Sequence, residues 1–290
     1  MTIDEICQNA QQIPASPAIL PSLLALLARE EASLVDLKRI VKQDTSLSVA
    51  VLRMANSAAM GGGVKFENLD DAILRLGFGL TYKLVVTVAG GRWNSIDMSG
   101  YSWAPGDFFR HSLAVAVAAR SLAIELDSCQ PELAYTAGLM HEAGKLALVF
   151  SNPLAIGRAR AKQAELNCDW LEAERLVLGF NHTDISRSLL EGWSFPESLL
   201  DVVKFYPTPA QSAPEFRPLV ETIHLAKHLA IQTGIGAGED AFWLPVDNLT
   251  LNNLGAQDLD FEDIIASVVE ELRYLLKDAL LTGPIINTTL

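Results

Sequence analysis

The sequence contains no uninterrupted apolar run of the roughly 20 residues that a membrane-spanning helix requires. Its first residues, Met1-Thr2-Ile3-Asp4-Glu5, lack both the basic and the apolar segment of a secretory signal peptide. Cysteine is scarce, and the three that occur, Cys7, Cys129 and Cys168, are far apart and odd in number, which is typical of reduced thiols. These absences predict a soluble protein of the cytoplasm with no membrane partner.

Positive charge is also in short supply. The chain has 22 Lys and Arg residues against 35 Asp and Glu residues, which gives a formal net charge of -13. Such a protein repels phosphate backbones and anionic lipids, so nucleic acids and membrane surfaces are disfavoured as partners. There is no low-complexity run, and 50% of the 290 residues are hydrophobic. This composition is typical of a compact globular protein.

Helical periodicity extends along nearly the whole chain, and the alternation typical of strands is scarce, so we predict an all-α fold. Ser33 and Asp36 have the spacing of a capping box before one helix, and Asp44 is a candidate cap for the next. Turn-forming glycine and proline residues cluster between Gly90 and Gly106, where no apolar period holds. We therefore expect two helical lobes, formed by residues 1–95 and 96–290.

The second lobe is expected to contain the longer helices. Their predicted ranges are 108–126, 131–150, 153–166, 169–178, 181–191 and 218–233. Low periodicity predicts a surface loop insertion over residues 234–255. Apolar residues at i, i+3 and i+4 spacing predict an amphipathic helix over 261–280, docked on the domain or on a second subunit.

Three histidine positions could converge on one metal-binding pocket. His111 lies in a segment rich in Ala, Val and Leu, His141 is followed by Glu142, and His182 begins a predicted helix. Each also has a structural interpretation: an interior histidine, a His-Glu pair holding two helices together, and a contact at a helix start. Lys145 is interpreted as a solvated helix residue.

The chain resembles the HD-related output domain (HDOD) family over about residues 12 to 235. The matching segments are Ile40-Val41-Lys42-Gln43-Asp44-Thr45-Ser46-Leu47-Ser48, Leu52-Arg53-Met54-Ala55-Asn56-Ser57, Ala72-Ile73-Leu74-Arg75-Leu76-Gly77, Arg110-His111-Ser112, Ala137-Gly138-Leu139-Met140-His141-Glu142-Ala143-Gly144-Lys145, Glu172-Ala173-Glu174-Arg175 and Gly179-Phe180-Asn181-His182. The resemblance implies a two-lobed helical bundle with an HD-like C-terminal lobe. It also implies a bacterial signalling module distinct from the catalytic HD phosphohydrolases.

Enzymes of the parent HD superfamily place a His, a His-Asp pair and a distal Asp around one or two divalent cations. By resemblance, His111 corresponds to the first His, His141 and Glu142 to the pair, and His182 to a further His of dinuclear relatives. Lys227 stands at the distal ligand position, and the paired His of those relatives is absent near residues 203–207. We therefore expect a vestigial pocket with no catalytic metal and no other cofactor. One divalent cation on His111, His141 and Glu142 stays open as an alternative.

Three functions follow from these features. The leading one is a non-catalytic signal-transduction module that binds other signalling proteins or a small ligand. The second is a metal-dependent phosphohydrolase of phosphomonoesters or nucleotides, using His111, His141, Glu142 and His182. The third is a nucleic-acid regulator with a helix-turn-helix over residues 33–57, which the slight basic excess and the apolar second helix disfavour. The sequence leaves open whether the chain forms a homo-oligomer.

Overall fold

The computed structural model describes residues 1–10, 19–27, 33–57, 65–91, 96–235 and 248–278. Within these ranges the protein has fifteen α-helices, two short 3-10 helices at Ser99–Tyr101 and Pro209–Gln211, and no β-strand, which confirms the all-α fold. The α-helices are α1 Ile3–Ala10, α2 Ile19–Leu27, α3 Leu34–Lys42, α4 Thr45–Ala55, α5 Leu69–Gly91, α6 Asp107–Leu126, α7 Pro131–Met140, α8 Ala143–Ser151, α9 Pro153–Leu166, α10 Trp170–Leu178, α11 His182–Gly192, α12 Glu197–Phe205, α13 Arg217–Gln232, α14 Asn248–Leu254 and α15 Phe261–Asp278.

Local sequence signals explain several helix boundaries. The Ser33 side chain accepts a hydrogen bond from the backbone N–H of Asp36 at the start of α3, and Asp44 caps α4 in the same way. These caps satisfy backbone donors that have no partner inside the helix. Gly77 kinks α5 with φ 73° and ψ 177°, a conformation that costs a residue with a side chain far more than glycine.

Two sequence predictions need correction. The segment predicted as one helix over residues 131–150 is divided into α7 and α8, because the backbone of Glu142, with φ -114° and ψ 23°, leaves the helical path. Residues 248–254, expected to belong to a surface loop, form α14 instead, while residues 236–247 of that loop lie outside the described residues. In addition, α12 was not predicted; it follows Pro196, which fixes the backbone just before the helix.

The centre of the second half of the chain is α6. It packs against α7, α13 and α15, and its residues from Phe108 to Ala119 are almost all buried. A helix that is apolar around most of its circumference must be surrounded by other elements. This position brings His111, near the start of α6, into the interior of the protein.

The amphipathic C-terminal helix docks on the protein body as α15. Its buried side chains are Ile264, Val268, Leu272 and Leu275. An ion pair between Lys83 of α5 and Glu271 adds a polar contact to this apolar one. Residues 279 and 280 of the predicted helix lie outside the described residues.

The division into two lobes stays a prediction. Between residues 96 and 106 the described chain forms a 3-10 helix at Ser99–Tyr101 and irregular structure. Although it precedes the expected boundary, α1 packs against α8 and α11 beyond it, and the Ser151 hydroxyl donates to the Ile6 carbonyl at 3.3 Å.

One described helix, α5, has the length and mean hydropathy, 1.5, of a membrane span. More than half of the apolar window, 56%, is buried inside the protein. Core helices of soluble proteins have the same properties, so this feature is weak evidence for a membrane segment.

Candidate metal centre and buried ion-pair network

The break between α7 and α8 directs two functional side chains into the core. His141 is the residue after α7, and Glu142 precedes α8. Both side chains are 0% exposed, and the His111 side chain from α6 is 3% exposed. A helix broken at this point can aim consecutive side chains at one interior space, which a continuous helix cannot do because its neighbouring residues point about 100° apart.

Glu142 Oε2 faces two histidine nitrogens. It lies 3.8 Å from His141 Nε2 and 4.0 Å from His111 Nε2. The three residues each offer one ligand atom, and these atoms lie within 4.8 Å of one another. Tetrahedral zinc bound by nitrogen and oxygen requires ligand separations of about 3.4 Å, so small movements of the side chains would be needed to close the set on one cation.

The protonation state of His141 suits a ligand. Its Nδ1 lies 2.7 Å from the Gly138 carbonyl oxygen, which can only accept, so Nδ1 carries the proton. Burial holds the pKa of His141 well below its usual range and keeps the ring neutral. Its Nε2 therefore presents a lone pair, and among the described residues neither this atom nor Glu142 Oε2 has a hydrogen-bond partner.

The other carboxylate oxygen is fully engaged. Glu142 Oε1 accepts hydrogen bonds from Lys227 Nζ at 2.6 Å, from Lys145 Nζ at 2.8 Å and from the Tyr206 hydroxyl at 3.2 Å. Burial by itself raises the pKa of Glu142, but the charges of Lys145 and Lys227 outweigh it and hold this pKa well below its usual range. Glu142 is therefore an ionised carboxylate with two ammonium groups on one oxygen.

The lysines change the interpretation of the site. Lys145, which we interpreted as solvated, is 0% exposed, so that interpretation is wrong. Lys227 places its ammonium group on Glu142, the carboxylate of the candidate ligand set. A dication about 5 Å from each ammonium would be repelled by roughly 7 kcal/mol per lysine at an effective dielectric constant of about 20. A two-cation centre does not fit these residues. A single cation on Glu142 Oε2 fits the available ligand atoms, but the positive charges of the two lysines oppose it.

His182 lies outside the three-residue ligand set. Its backbone N–H donates to Glu174 Oε2 at 2.6 Å, and its Nδ1 lies 2.8 Å from the same oxygen. Its Nε2 lies 3.0 Å from the Tyr206 hydroxyl, and the Tyr101 hydroxyl donates to Glu174 Oε1 at 2.6 Å. A continuous buried network therefore extends from Tyr101 through His182 and Tyr206 to Glu142.

The Tyr206 hydroxyl couples the two halves of this network because it has a single proton. When this proton is donated to Glu142 Oε1, the hydroxyl can only accept from His182 Nε2. When the proton is donated to His182 Nε2 instead, Glu142 Oε1 keeps only its two lysine donors. The network thus has two internally consistent hydrogen-bond arrangements.

Close helix packing makes the network continuous. A Cβ atom on Gly144 would lie 2.1 Å from the backbone oxygen of His182, so only glycine permits this approach of α8 and α11. At the same place Gly144 N–H donates to Ser186 Oγ at 2.8 Å. Gly144, two residues after Glu142 in sequence, is therefore what lets His182 lie near Glu142.

Sequence reasoning missed Tyr101, Tyr206 and the buried role of Lys145. Glu174 was part of the quoted segment Glu172-Ala173-Glu174-Arg175, but no role was assigned to it. The sequence offered one signal for it: Glu174 follows Ala173 on the buried face of α10, where an acid needs a partner. The tyrosines gave no such signal, because a tyrosine suits an apolar core as well as a polar network.

Comparison with known proteins identifies the family and the fold of this chain. The profile of the HDOD domain matches residues 13–209. The chain belongs to the HDOD family. A crystal structure of an HDOD domain protein of unknown function from Geobacter sulfurreducens has a TM-score of 0.70 at 19% identity, covering 96% of this chain and 99% of the other. A Shewanella amazonensis protein, provisionally named a phosphohydrolase, has a TM-score of 0.65 at 23% identity, covering 95% and 96%.

A curated sequence relative is an uncharacterized protein of Treponema pallidum. It is 23% identical over 233 residues, which cover 76% of this chain and 42% of the relative. This HDOD chain thus spans less than half the length of the relative. At these identities the solved structures establish the shared fold and do not transfer an activity.

Proposed function

We propose that this HDOD protein is a non-catalytic regulatory module of bacterial signal transduction. It acts in the cytoplasm by binding another signalling protein or a small ligand. The observation that carries the proposal is the ion pairing of Lys145 and Lys227 with Glu142 Oε1, at 2.8 and 2.6 Å. These contacts convert the remnant of an HD metal centre into an internal ion-pair hub.

The chemistry of phosphoester hydrolysis supports this proposal. HD enzymes use their cations to activate water and to neutralise the phosphate charge, which requires both metal and substrate beside the acidic ligand. Here ammonium groups hold the oxygen that would bind a second cation. The side chains of His111, His141 and Glu142 are 3% exposed or less, so a phosphoester would reach them only after the helices separate.

Metal analysis and an activity screen test the proposal together. Protein purified without chelators should carry far less than one equivalent of any transition metal and should not hydrolyse p-nitrophenyl phosphate or nucleotides. The matched control is the double variant Glu142→Asp with Lys227→Asp, which restores the acidic residues of the HD pattern and should gain metal affinity. A stoichiometric metal together with a hydrolase activity that His141→Ala abolishes would overturn the proposal.

A single-cation site is the second candidate, and a specific observation favours it. His141 Nε2 and Glu142 Oε2 face one interior space without a hydrogen-bond partner among the described residues. With His111 they would hold one divalent cation, which would polarise a bound oxygen ligand. Titration with Zn²⁺ or Mn²⁺ followed by calorimetry should then show one site that is lost in His111→Ala and kept in His224→Ala. His224 is a suitable control because its Nδ1 is bonded to the Tyr206 carbonyl at 2.9 Å.

The contacts of α3 and α4 weigh against nucleic-acid binding. Leu47, Val51 and Met54 of α4 are buried in the core. On α3, Lys38 and Lys42 both pair with Asp70, at 3.4 and 2.9 Å. Little of the positive charge and little of the second helix therefore remain for a DNA groove.

A further inference from the structure

A cavity of about 550 Å³ opens at the surface where α10, the start of α11 and the end of α12 meet. It lies within the size range of small-molecule sites, and it is separate from the buried His111–His141–Glu142 cluster. Its lining includes Glu172 and Arg175 from α10, Asn181 before α11, and Lys204 and Phe205 from α12.

The lining contains both cationic and anionic side chains, but only some of them have a partner within the protein. Lys204 forms an ion pair with Asp184, and Asp169 accepts the backbone N–H of Glu172 as the cap of α10. The side chains of Arg175 and Glu172 are exposed, and neither is in ion-pair contact with a described residue, although the charge of Arg175 acts on Asp184. One cation and one anion on the same wall therefore remain available to a ligand.

Asn181 adds a directed donor. Asn181 is 3% exposed. Its side-chain Oδ1 accepts hydrogen bonds from the Thr183 N–H at 3.0 Å and from the Thr183 hydroxyl at 2.8 Å. These bonds fix which amide atom is oxygen, and the amide nitrogen then makes no hydrogen bond to a described residue. At the cavity wall this nitrogen is left to donate to water or to an acceptor that a ligand supplies.

We infer that this cavity binds a small zwitterion of the α-amino-acid type with an apolar side chain. The ligand carboxylate binds Arg175 and the amide nitrogen of Asn181, and its ammonium group faces Glu172. The side chain covers Leu176, which is 56% exposed, and Phe205. A nucleotide is disfavoured because Arg175 is the one cation of the lining without an ion pair to a described residue, and Asp169 and Glu172 lie beside it, so several phosphate charges would not be neutralised.

The position of the cavity gives this ligand a route to the buried network. Asn181 and Phe205 immediately precede His182 and Tyr206, whose side chains are hydrogen-bonded to each other at 3.0 Å. A ligand that fixes the start of α11 and the end of α12 would therefore alter the spacing between His182 and Tyr206. This inference rests on the proposed regulatory function, since it names the small ligand of that module.

Calorimetric titration of the full chain with L-leucine and L-phenylalanine tests the inference. Each of these amino acids should bind. N-acetyl-L-leucine lacks the ammonium charge, and L-leucinamide lacks the carboxylate charge. Both should bind about tenfold more weakly or not at all, because each loses a charge-assisted hydrogen bond. Arg175→Gln and Glu172→Gln should each weaken L-leucine by a similar factor. The matched control Arg158→Gln, an exposed arginine on α9, should leave the affinity unchanged.

The inference is overturned if neither amino acid binds at millimolar concentration, or if the amide and the N-acetyl derivative bind as well as L-leucine. Binding of inorganic phosphate or AMP that depends on Arg175, without amino-acid binding, would also overturn the ligand class. Because Arg175 and Glu172 are exposed, these variants should fold, which thermal melting verifies. The metal and phosphatase assays do not involve this cavity, so its failure and that of the proposed function can be told apart.

Discussion

Residues 1–95 and residues 96–290 differ sharply in charge. The first segment has nine acidic and nine basic residues and is neutral, so the second carries the entire net charge of -13. They differ in the interior as well. In the described part of the first segment the buried polar residues are Thr81, Lys83 and Thr87, whereas the second segment buries His111, His141, Glu142, Lys145, Glu174, His182 and Lys227.

This difference separates two ways of holding a helical protein together. In the first segment, apolar side chains such as Leu37, Leu47 and Val51 pack between capped helices, and their stabilisation depends on buried area. In the second segment, part of the core depends on charges that are tolerated only because each has a partner. Changes in the two segments should therefore differ in size and in pH dependence.

The largest effect is expected from removing α15, which contacts both segments. A chain that ends at Gly255 loses the burial of Ile264, Val268, Leu272 and Leu275 and the contact of Glu271 with Lys83. At about 1.5 kcal/mol or more for each aliphatic side chain, the loss is roughly 6 kcal/mol, enough to unfold many domains. Thermal melting and solubility measure it, and a chain ending at Asp278 is the control. Equal melting temperatures for the full chain and the Gly255 truncation would contradict the docking of α15.

Neutralising Glu142 is expected to have the next largest effect. Glu142→Gln leaves the ammonium groups of Lys145 and Lys227 buried without their anion, which costs about 3–5 kcal/mol. Urea unfolding gives the value, and the triple variant Glu142→Leu, Lys145→Met, Lys227→Met should recover most of the lost stability. If Glu142→Gln unfolds at the same urea concentration as the parent, the ion-pair hub does not exist as described.

A purely apolar change in the first segment should cost somewhat less. Leu37→Ala removes a fully buried side chain of α3 and should destabilise the protein by about 2–4 kcal/mol. The neighbouring Val35 is 63% exposed on the same helix, and Val35→Ala should change stability by less than about 0.5 kcal/mol. Chemical denaturation compares the two variants directly, and similar losses from both would refute the packing of α3. Unlike the cost of Glu142→Gln, the cost of Leu37→Ala should not vary with pH.

The smallest effect concerns the pH dependence of a half-buried acid. Burial raises the pKa of Asp184, but the hydrogen bonds from Lys204 and from the Asn181 backbone outweigh it and lower the pKa below the ordinary 3.8. Because the folded-state pKa is depressed, the carboxylate stabilises the fold above about pH 4 and this contribution is lost as the pH falls through the folded-state value. Asp184→Asn should thus cost a few tenths of a kcal/mol at pH 7, and progressively less as the pH falls below about 4. A stability difference between parent and variant that grows on acidification would reverse the assignment.

Much of the fold was predictable because its signals are local. The caps at Ser33 and Asp44 and the amphipathic pattern of α15 each depend on residues within a few positions of one another. Where local signals were weak the prediction failed: the apolar run through His141 and Glu142 was taken for one helix, and α14 for a loop. Apolar periodicity does not detect a break between two buried helices, because both sides of the break are apolar.

The candidate site likewise has features that the sequence predicts and features that only the packing of the helices creates. By itself the sequence determined the all-α fold and named His111, His141 and Glu142, which the structure brings together. That Lys227 stands in place of a distal ligand stays an inference from the family resemblance. Only the tertiary structure decided that Lys145 turns inward to Glu142, that Tyr206 lies between His182 and Glu142, and that Asn181 and Arg175 line one cavity. The physical reason is distance along the chain: Lys227 and Glu142 are 85 residues apart, so their 2.6 Å contact depends on how the helices pack.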